Sequence, residues 1–221
     1  MQRDVLTRLF LHGAGRRGHA AWPGLPESSG TFLEFDSRST IDDQTRALQD
    51  SPHQAIVFAH SIGAVPAALA ARPMGVRGAV LVEPALYDIV RGESAIERHI
   101  GIVVEARAQA EAGNLEGFWA ILRPLMFGGS FDPSTWEQEK PLAQQWAVTN
   151  LPWGHGVRAQ MLGEIPTLVV TGGWNDEYEI IARRLVDDVG AEHHVLPGAA
   201  HRPQDHPGFV SVVERFELSL R

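Results

Sequence analysis

With 221 residues the chain is long enough to bury one sizeable core, and one domain is the prior for that length. Nineteen basic side chains against 27 acidic ones give a net charge of -8, so no cationic face is implied that could grip nucleic acid or an anionic membrane. Cysteine is absent, which removes disulfides, thiolate nucleophiles and zinc-thiolate sites together, and Lys140 in "EQEKPLAQQ" is the one lysine available for Schiff-base chemistry.

The start, "MQRDVLTRLFLHG", carries an apolar run too short and too quickly interrupted for a signal peptide, and no segment reaches the roughly 20 apolar residues needed to cross a bilayer. A cytoplasmic location is expected. Six apolar, β-branched runs then follow in order: "TRLFLHG" (7–13), "TFLEFDS" (31–37), "QAIVFAH" (54–60), "GAVLVEP" (78–84), "PTLVVTG" (166–172) and "EHHVLPG" (192–198). Between most of them lie helical patterns, such as "TIDDQTRALQD", "IGAVPAALAAR" and "DEYEIIARRLVDDVG", and "PGFVSVVERFELSL" closes the chain. Strands that alternate with helices require crossover connections, so an α/β fold with a doubly wound, mostly parallel sheet of about six strands is expected. Glu34 interrupts the second run, which suits an exposed edge strand and a homodimer formed through it. Pro66, at the fifth position of the expected helix after residue 61, predicts a kink there.

Residues 88–160 break this rhythm with helical stretches and no convincing strand, which predicts a helical lid inserted before the penultimate strand, with 1–87 and 161–221 forming the core. Phe118, Trp119, Trp136, Trp146 and Trp153 fall in that insertion, and their roles are divided between packing and lining a substrate pocket.

The chemistry concentrates at "QAIVFAHSIGAV". In an open α/β sheet ligands collect beyond the carboxyl ends of the strands, and Ser61 stands at such an end. For its hydroxyl to project clear, the strand must turn sharply into the next helix, leaving no space for large side chains two positions before and after. Ala59 and Gly63 satisfy that, giving the pattern G-x-S-x-G with alanine in the first position. The bland reading of the same serine is an N-cap. By the same geometry the N–H of Ile62 opens a helix and points at an anion beside the serine.

Serine needs a base, and the base needs an orienting group. "LPGAAHRPQDHPGF" offers His201 in a small-residue loop after the last strand. "LVVTGGWNDEYE" offers Asp176 after the preceding strand, and Glu83 in "VLVEPAL" ends a strand at the same edge as an alternative acid. "FLHGAGRRG" ends the first strand with glycines that let backbone approach a bound oxygen, which assigns the second oxyanion donor to the N–H of Ala14, with Gly13 as the alternative.

His60 neighbours Ser61, but adjacent strand residues point to opposite sides, so it is read as a packing and hydrogen-bonding residue, and His12 as a brace for the oxyanion loop. The same alternation separates His193 from His194 and argues against chelation; no metal and no other cofactor is expected.

The motifs "LHGAG", "AHSIGA", "TGGWND" and "GAAHRPQDHPGF", in this order after successive strands, resemble the α/β-hydrolase superfamily. The likeness covers nearly the whole chain outside the insertion, although the two strands that usually precede the His-Gly strand are missing. It implies the α/β-hydrolase fold shortened at its N-terminus and a serine esterase with Ser61, Asp176 and His201 as catalytic triad. A small, fairly apolar ester or related acyl compound would be cleaved through an acyl-enzyme. The same superfamily also holds carbon–carbon hydrolases, lactonases, perhydrolases and non-catalytic ligand-binding proteins.

Overall fold

The computed structural model describes residues 7–36 and 38–221. Residues 1–6, on which the reading against a signal peptide partly rests, and Ser37, the end of the expected second strand, lie outside the described residues. Two compact units are formed, one by the chain up to Val90 together with Leu151–Arg221, the other by Arg91–Asn150.

The first unit holds six strands, β1 (Arg8–Leu11), β2 (Thr31–Phe32), β3 (Ile56–His60), β4 (Gly78–Val82), β5 (Thr167–Thr171) and β6 (Glu192–Val195). They form one sheet of order β2-β1-β3-β4-β5-β6, with every pair parallel. The helices are α1 (Ile41–Gln49), α2 (Ala64–Ala71), α6 (Asp176–Val189) and α7 (Phe209–Ser219), while the second unit contributes α3 (Ser94–Glu111), α4 (Leu115–Phe127) and α5 (Trp136–Ala147). All six expected strands are present and the sheet is doubly wound.

Every residue of β3, β4 and β5 is buried, as strands covered on both faces require. Register lines up Phe10, Phe58, Val80 and Leu168 across neighbouring strands, and these join Phe209, Val212, Val213 and Phe216 of α7 in one apolar core. Phe10 stacks on Phe58 and Phe32 with ring centroids 4.5 and 4.4 Å apart. Arg8 on β1 and Glu217 on α7 meet in a two-pronged ion pair, 2.7 Å from Nε and 2.5 Å from Nη2, which fixes the closing helix to the sheet.

Two expectations change in detail. The second strand sits at the sheet edge but is only two residues long: after Leu33 donates to the Phe10 carbonyl, Phe35 N–H bonds the ring of His12 instead of continuing the ladder. Pro66 produces no mid-helix defect. A 3-10 turn over Ser61–Gly63 precedes α2, so Pro66 lies in the first α-helical turn, where an N–H has no intrahelical partner to lose.

Helix ends are set locally. Asn114 caps α4 by accepting from Gly117 N–H, Asn175 caps α6 by accepting from Glu177 N–H, and Gly190 ends α6 in the left-handed conformation with φ 69°. In the second unit Phe118 and Trp119 are fully buried, the Trp119 indole N–H bonds Glu139, and Arg107 bonds the carbonyls of Ala147 and Thr149. Trp136 and Trp146 are half-buried and edge-stack on Phe131 and Phe127. Burial leaves Phe118 and Trp119 no surface for a substrate, so the pocket-lining expectation for these two gives way to packing. Trp153 belongs to the first unit, where its ring lies 5.8 Å from Tyr87. Among the described residues no helix is long and apolar enough to cross a membrane.

Candidate active site

Ser61 follows β3 with φ 54°, a left-handed conformation that a residue with a side chain adopts only at a cost of about 1–3 kcal/mol. The turn works because of its neighbours. A Cβ on Gly63 would lie 2.7 Å from the His12 carbonyl oxygen, and one on Gly13 would lie 2.8 Å from His60 Nδ1 and 3.0 Å from Ser61 Cβ. The loop after β1 and the turn after β3 are therefore in backbone contact, which brings the Gly13-Ala14 segment beside the serine. Five non-glycine residues among those described have positive φ, and three of them, Ser61, Glu83 and Ala200, are the nucleophile candidate, its candidate acid and the residue before His201. Strain gathers where side chains must be aimed.

Glu83, just past β4, is wholly inaccessible to solvent. A buried carboxylate is expensive unless donors surround it, and Glu83 has three. Its Oε1 accepts from Gly172 N–H at 2.6 Å, and its Oε2 accepts from Trp174 Nε1–H at 3.0 Å and faces His201 Nδ1 at 3.3 Å. The structure thus pairs the imidazole with Glu83, not with Asp176. Asp176 is the exposed first residue of α6, where its charge complements the helix N-terminus, and it makes no hydrogen bond to His201. The reason is local: Asn175 takes the cap position, so the chain enters the helix one residue before Asp176 can turn toward the sheet edge.

The remaining histidines hold loops. A carbonyl can only accept, so His60 Nε2 donates to the His201 carbonyl at 2.9 Å and anchors the loop that carries the imidazole. Complete burial, and next the nearby His201, push the His60 pKa well down and keep its ring neutral. His12 Nε2 accepts from Phe35 N–H at 2.9 Å, leaving Nδ1–H to donate to the Gly13 carbonyl at 2.7 Å. It ties the loop after β1 to the segment after β2, and burial lowers its pKa too. His193 engages Thr171 Oγ1 at 2.7 Å, with Glu179 at 3.6 Å. Arg202 and Arg16 share Asp205, and Arg202 also donates to the Ala21 carbonyl, fastening the His201 loop to the segment after β1.

Residues 8–211 match a family model described as the alpha/beta hydrolase family, and with that span the assignment is decided. The chain belongs to the alpha/beta hydrolase family. Solved structures of similar fold include MenH from S. aureus, 14% identical with TM-score 0.64, covering 98% of this chain and 94% of that one. A carboxylesterase structure from the thaumarchaeon Nitrososphaera gargenis is 15% identical with TM-score 0.61, over 98% of this chain and 92% of that one. NosK from Streptomyces actuosus is 19% identical with TM-score 0.59, over 97% and 99% respectively. Identities this low speak for the fold. No curated protein matches the chain.

The site of this alpha/beta hydrolase contains residues that the sequence reading passed over. Trp174, half exposed, bonds Glu83 and stands 6.2 Å from the His201 ring. Tyr178 is buried with its ring 5.0 Å from that of His201. Tyr87 donates to Glu177 at 2.7 Å. These are the chain's two tyrosines, and that scarcity was the one signal available in the sequence.

Proposed function

We propose that the chain is a serine hydrolase that cleaves a small, fairly apolar ester or related acyl compound through an acyl-enzyme. Ser61 is the nucleophile, His201 the base and Glu83 the orienting acid, a role assigned to Glu83 in preference to Asp176. The observation that carries this reading is the buried Glu83 carboxylate facing His201 Nδ1 at 3.3 Å beside a serine held at φ 54°.

With Nδ1–H directed at Glu83, Nε2 carries the lone pair and can accept a proton. Ser61 Oγ attacks the carbonyl carbon while its proton passes to Nε2, and the imidazolium formed is stabilised by the adjacent carboxylate. The carbonyl electrons move to oxygen, which faces the N–H groups of Ile62 and of Ala14, with Gly13 as the alternative donor. Collapse expels the alkoxide, protonated by His201, and leaves the acyl group on Ser61. Water then repeats the two steps with His201 as base, releasing the acid and restoring the serine. Trp174 offers an apolar wall beside the imidazole.

The test is turnover of a p-nitrophenyl short-chain ester by the parent and by Ser61→Ala. A fall of at least about three orders of magnitude is expected. Undiminished turnover would remove Ser61 from the mechanism.

A further inference from the structure

This inference rests on the serine reading above and concerns how the buried acid is tuned. Glu83 Oε2 meets two donors at once: it faces His201 Nδ1 at 3.3 Å and accepts from the indole N–H of Trp174 at 3.0 Å. The other oxygen accepts from Gly172 N–H at 2.6 Å, so two of the three donors come from the short loop after β5.

That loop is shaped to deliver the indole. A Cβ on Gly172 would run into the Ala200 carbonyl oxygen, so the loop lies backbone to backbone against the residue before His201. Gly173 then turns with φ 66°, where a Cβ would also stand 2.8 Å from Val195 Cγ1, and Trp174 follows. The Trp174 side chain stays 50% exposed, edge-on to the imidazole with ring centroids 6.2 Å apart. Half of a large apolar ring is left in water while its one polar atom reaches a carboxylate that solvent cannot.

We infer that Trp174 is a positioning residue that tunes the base: its N–H draws charge from the oxygen that His201 faces, so the imidazole stays ready to accept the Ser61 proton down to a lower pH. The negative charge on Oε2 stabilises the imidazolium, and a second donor on the same oxygen shares that charge. Without the indole N–H the Glu83–His201 pair binds its extra proton more tightly, whichever partner holds it. The acid limb of the rate then moves to higher pH. Loosening of Glu83 acts with the opposite sign, because an imidazolium that loses its carboxylate gives up its proton more easily. Direction therefore separates a tuning role from a structural one.

The ionisable groups around the pair are the same with or without that N–H. The His60 ring, 4.8 Å from that of His201, is kept neutral by burial and next by His201. Tyr178, 5.0 Å away, is held protonated by burial and then by Glu83. Arg202 and Arg16 are paired with Asp205, and Glu177 accepts from Tyr87. His193 on β6 lies 3.6 Å from Glu179, and burial lowers its pKa.

The experiment follows the pH dependence of covalent labelling of Ser61 by a small alkyl fluorophosphonate, in which the serine oxygen bonds phosphorus, its proton passes to His201 and fluoride leaves. Trp174→Phe keeps an aromatic ring and deletes the donor. Benzothienylalanine at position 174, a tryptophan analogue with sulfur in place of Nε1–H, keeps the indole's size as well, and circular dichroism confirms that both proteins are folded. The pH of half-maximal labelling should rise by about half to one unit. Relative to each protein's own plateau, labelling about one unit below the parent's midpoint should then be roughly three- to tenfold slower. A midpoint in the sulfur analogue that stays at the parent's value or falls overturns the tuning role, whatever Trp174→Phe does, and leaves the serine mechanism standing. A parent that is not labelled, or whose labelling acid does not slow, overturns the reading of Ser61 and His201 and this inference with it.

Discussion

Replacing Glu83 by glutamine tests the site at the point where structure and sequence pattern divide. Gly172 N–H, 2.6 Å from Oε1, demands an acceptor, so in Glu83→Gln the new amide must place its oxygen there and its NH2 on the side that faces Trp174 Nε1–H and His201 Nδ1. Donor then meets donor. The imidazole relieves the clash by moving its proton to Nε2, the nitrogen that has to accept from Ser61. The corresponding amide substitution in the Ser-His-Asp template lowers kcat by about four orders of magnitude, and the same wrong-tautomer argument gives roughly 10³- to 10⁴-fold here, or about 4–5.5 kcal/mol in the barrier. Asp176→Asn is the matched control. It changes an exposed helix-terminal charge, worth about 0.3–1 kcal/mol of stability, and should leave kcat within about threefold. The assay is steady-state hydrolysis of a p-nitrophenyl ester, with circular dichroism to confirm that both variants are folded. A hundredfold loss in Asp176→Asn with Glu83→Gln within tenfold of the parent would refute the assignment.

Two further outcomes follow from the packing. Arg8→Met leaves the Glu217 carboxylate, 7% exposed, without its cation against the sheet, and should destabilise by about 2–4 kcal/mol; urea denaturation checks this, and a change under about 0.5 kcal/mol would refute it. His60 is the second. Its pKa in the folded protein lies well below the 6.5 of a free imidazole, so between those two pH values the unfolded chain binds a proton that the folded one does not. Its contribution is fully present above about pH 6.5 and is lost on acidification at up to about 1.4 kcal/mol per pH unit. Denaturation free energies between about pH 7 and pH 5 should therefore fall less steeply in His60→Asn than in the parent, and equal slopes would count against a neutral buried ring.

The periodicity of the sequence was enough for the sheet. Runs such as "AIVFA" and "AVLV" are apolar on both alternating faces, and only a strand covered on both sides can use them, so their number and parallel direction follow from composition and spacing alone. The serine turn was legible for a similar reason: small residues at 59 and 63 are a steric requirement that acts within five positions of chain. Strand and helix ends were less so, because the second run stops where the His12 ring, some 20 residues away, captures the Phe35 N–H.

What the sequence determined by itself was therefore whatever depends on near neighbours: the alternation of strands and helices, the elbow at Ser61, and the loop that carries His201. The tertiary structure alone decided which carboxylate meets the imidazole and that Tyr178 packs against the His201 ring. Glu83 and Asp176 both follow strands at the same edge and both looked suitable in the chain. The difference between them is a matter of solvation: one is sealed among three donors converging from distant segments, the other stands in water at a helix end, and no local pattern encodes which carboxylate the fold will bury.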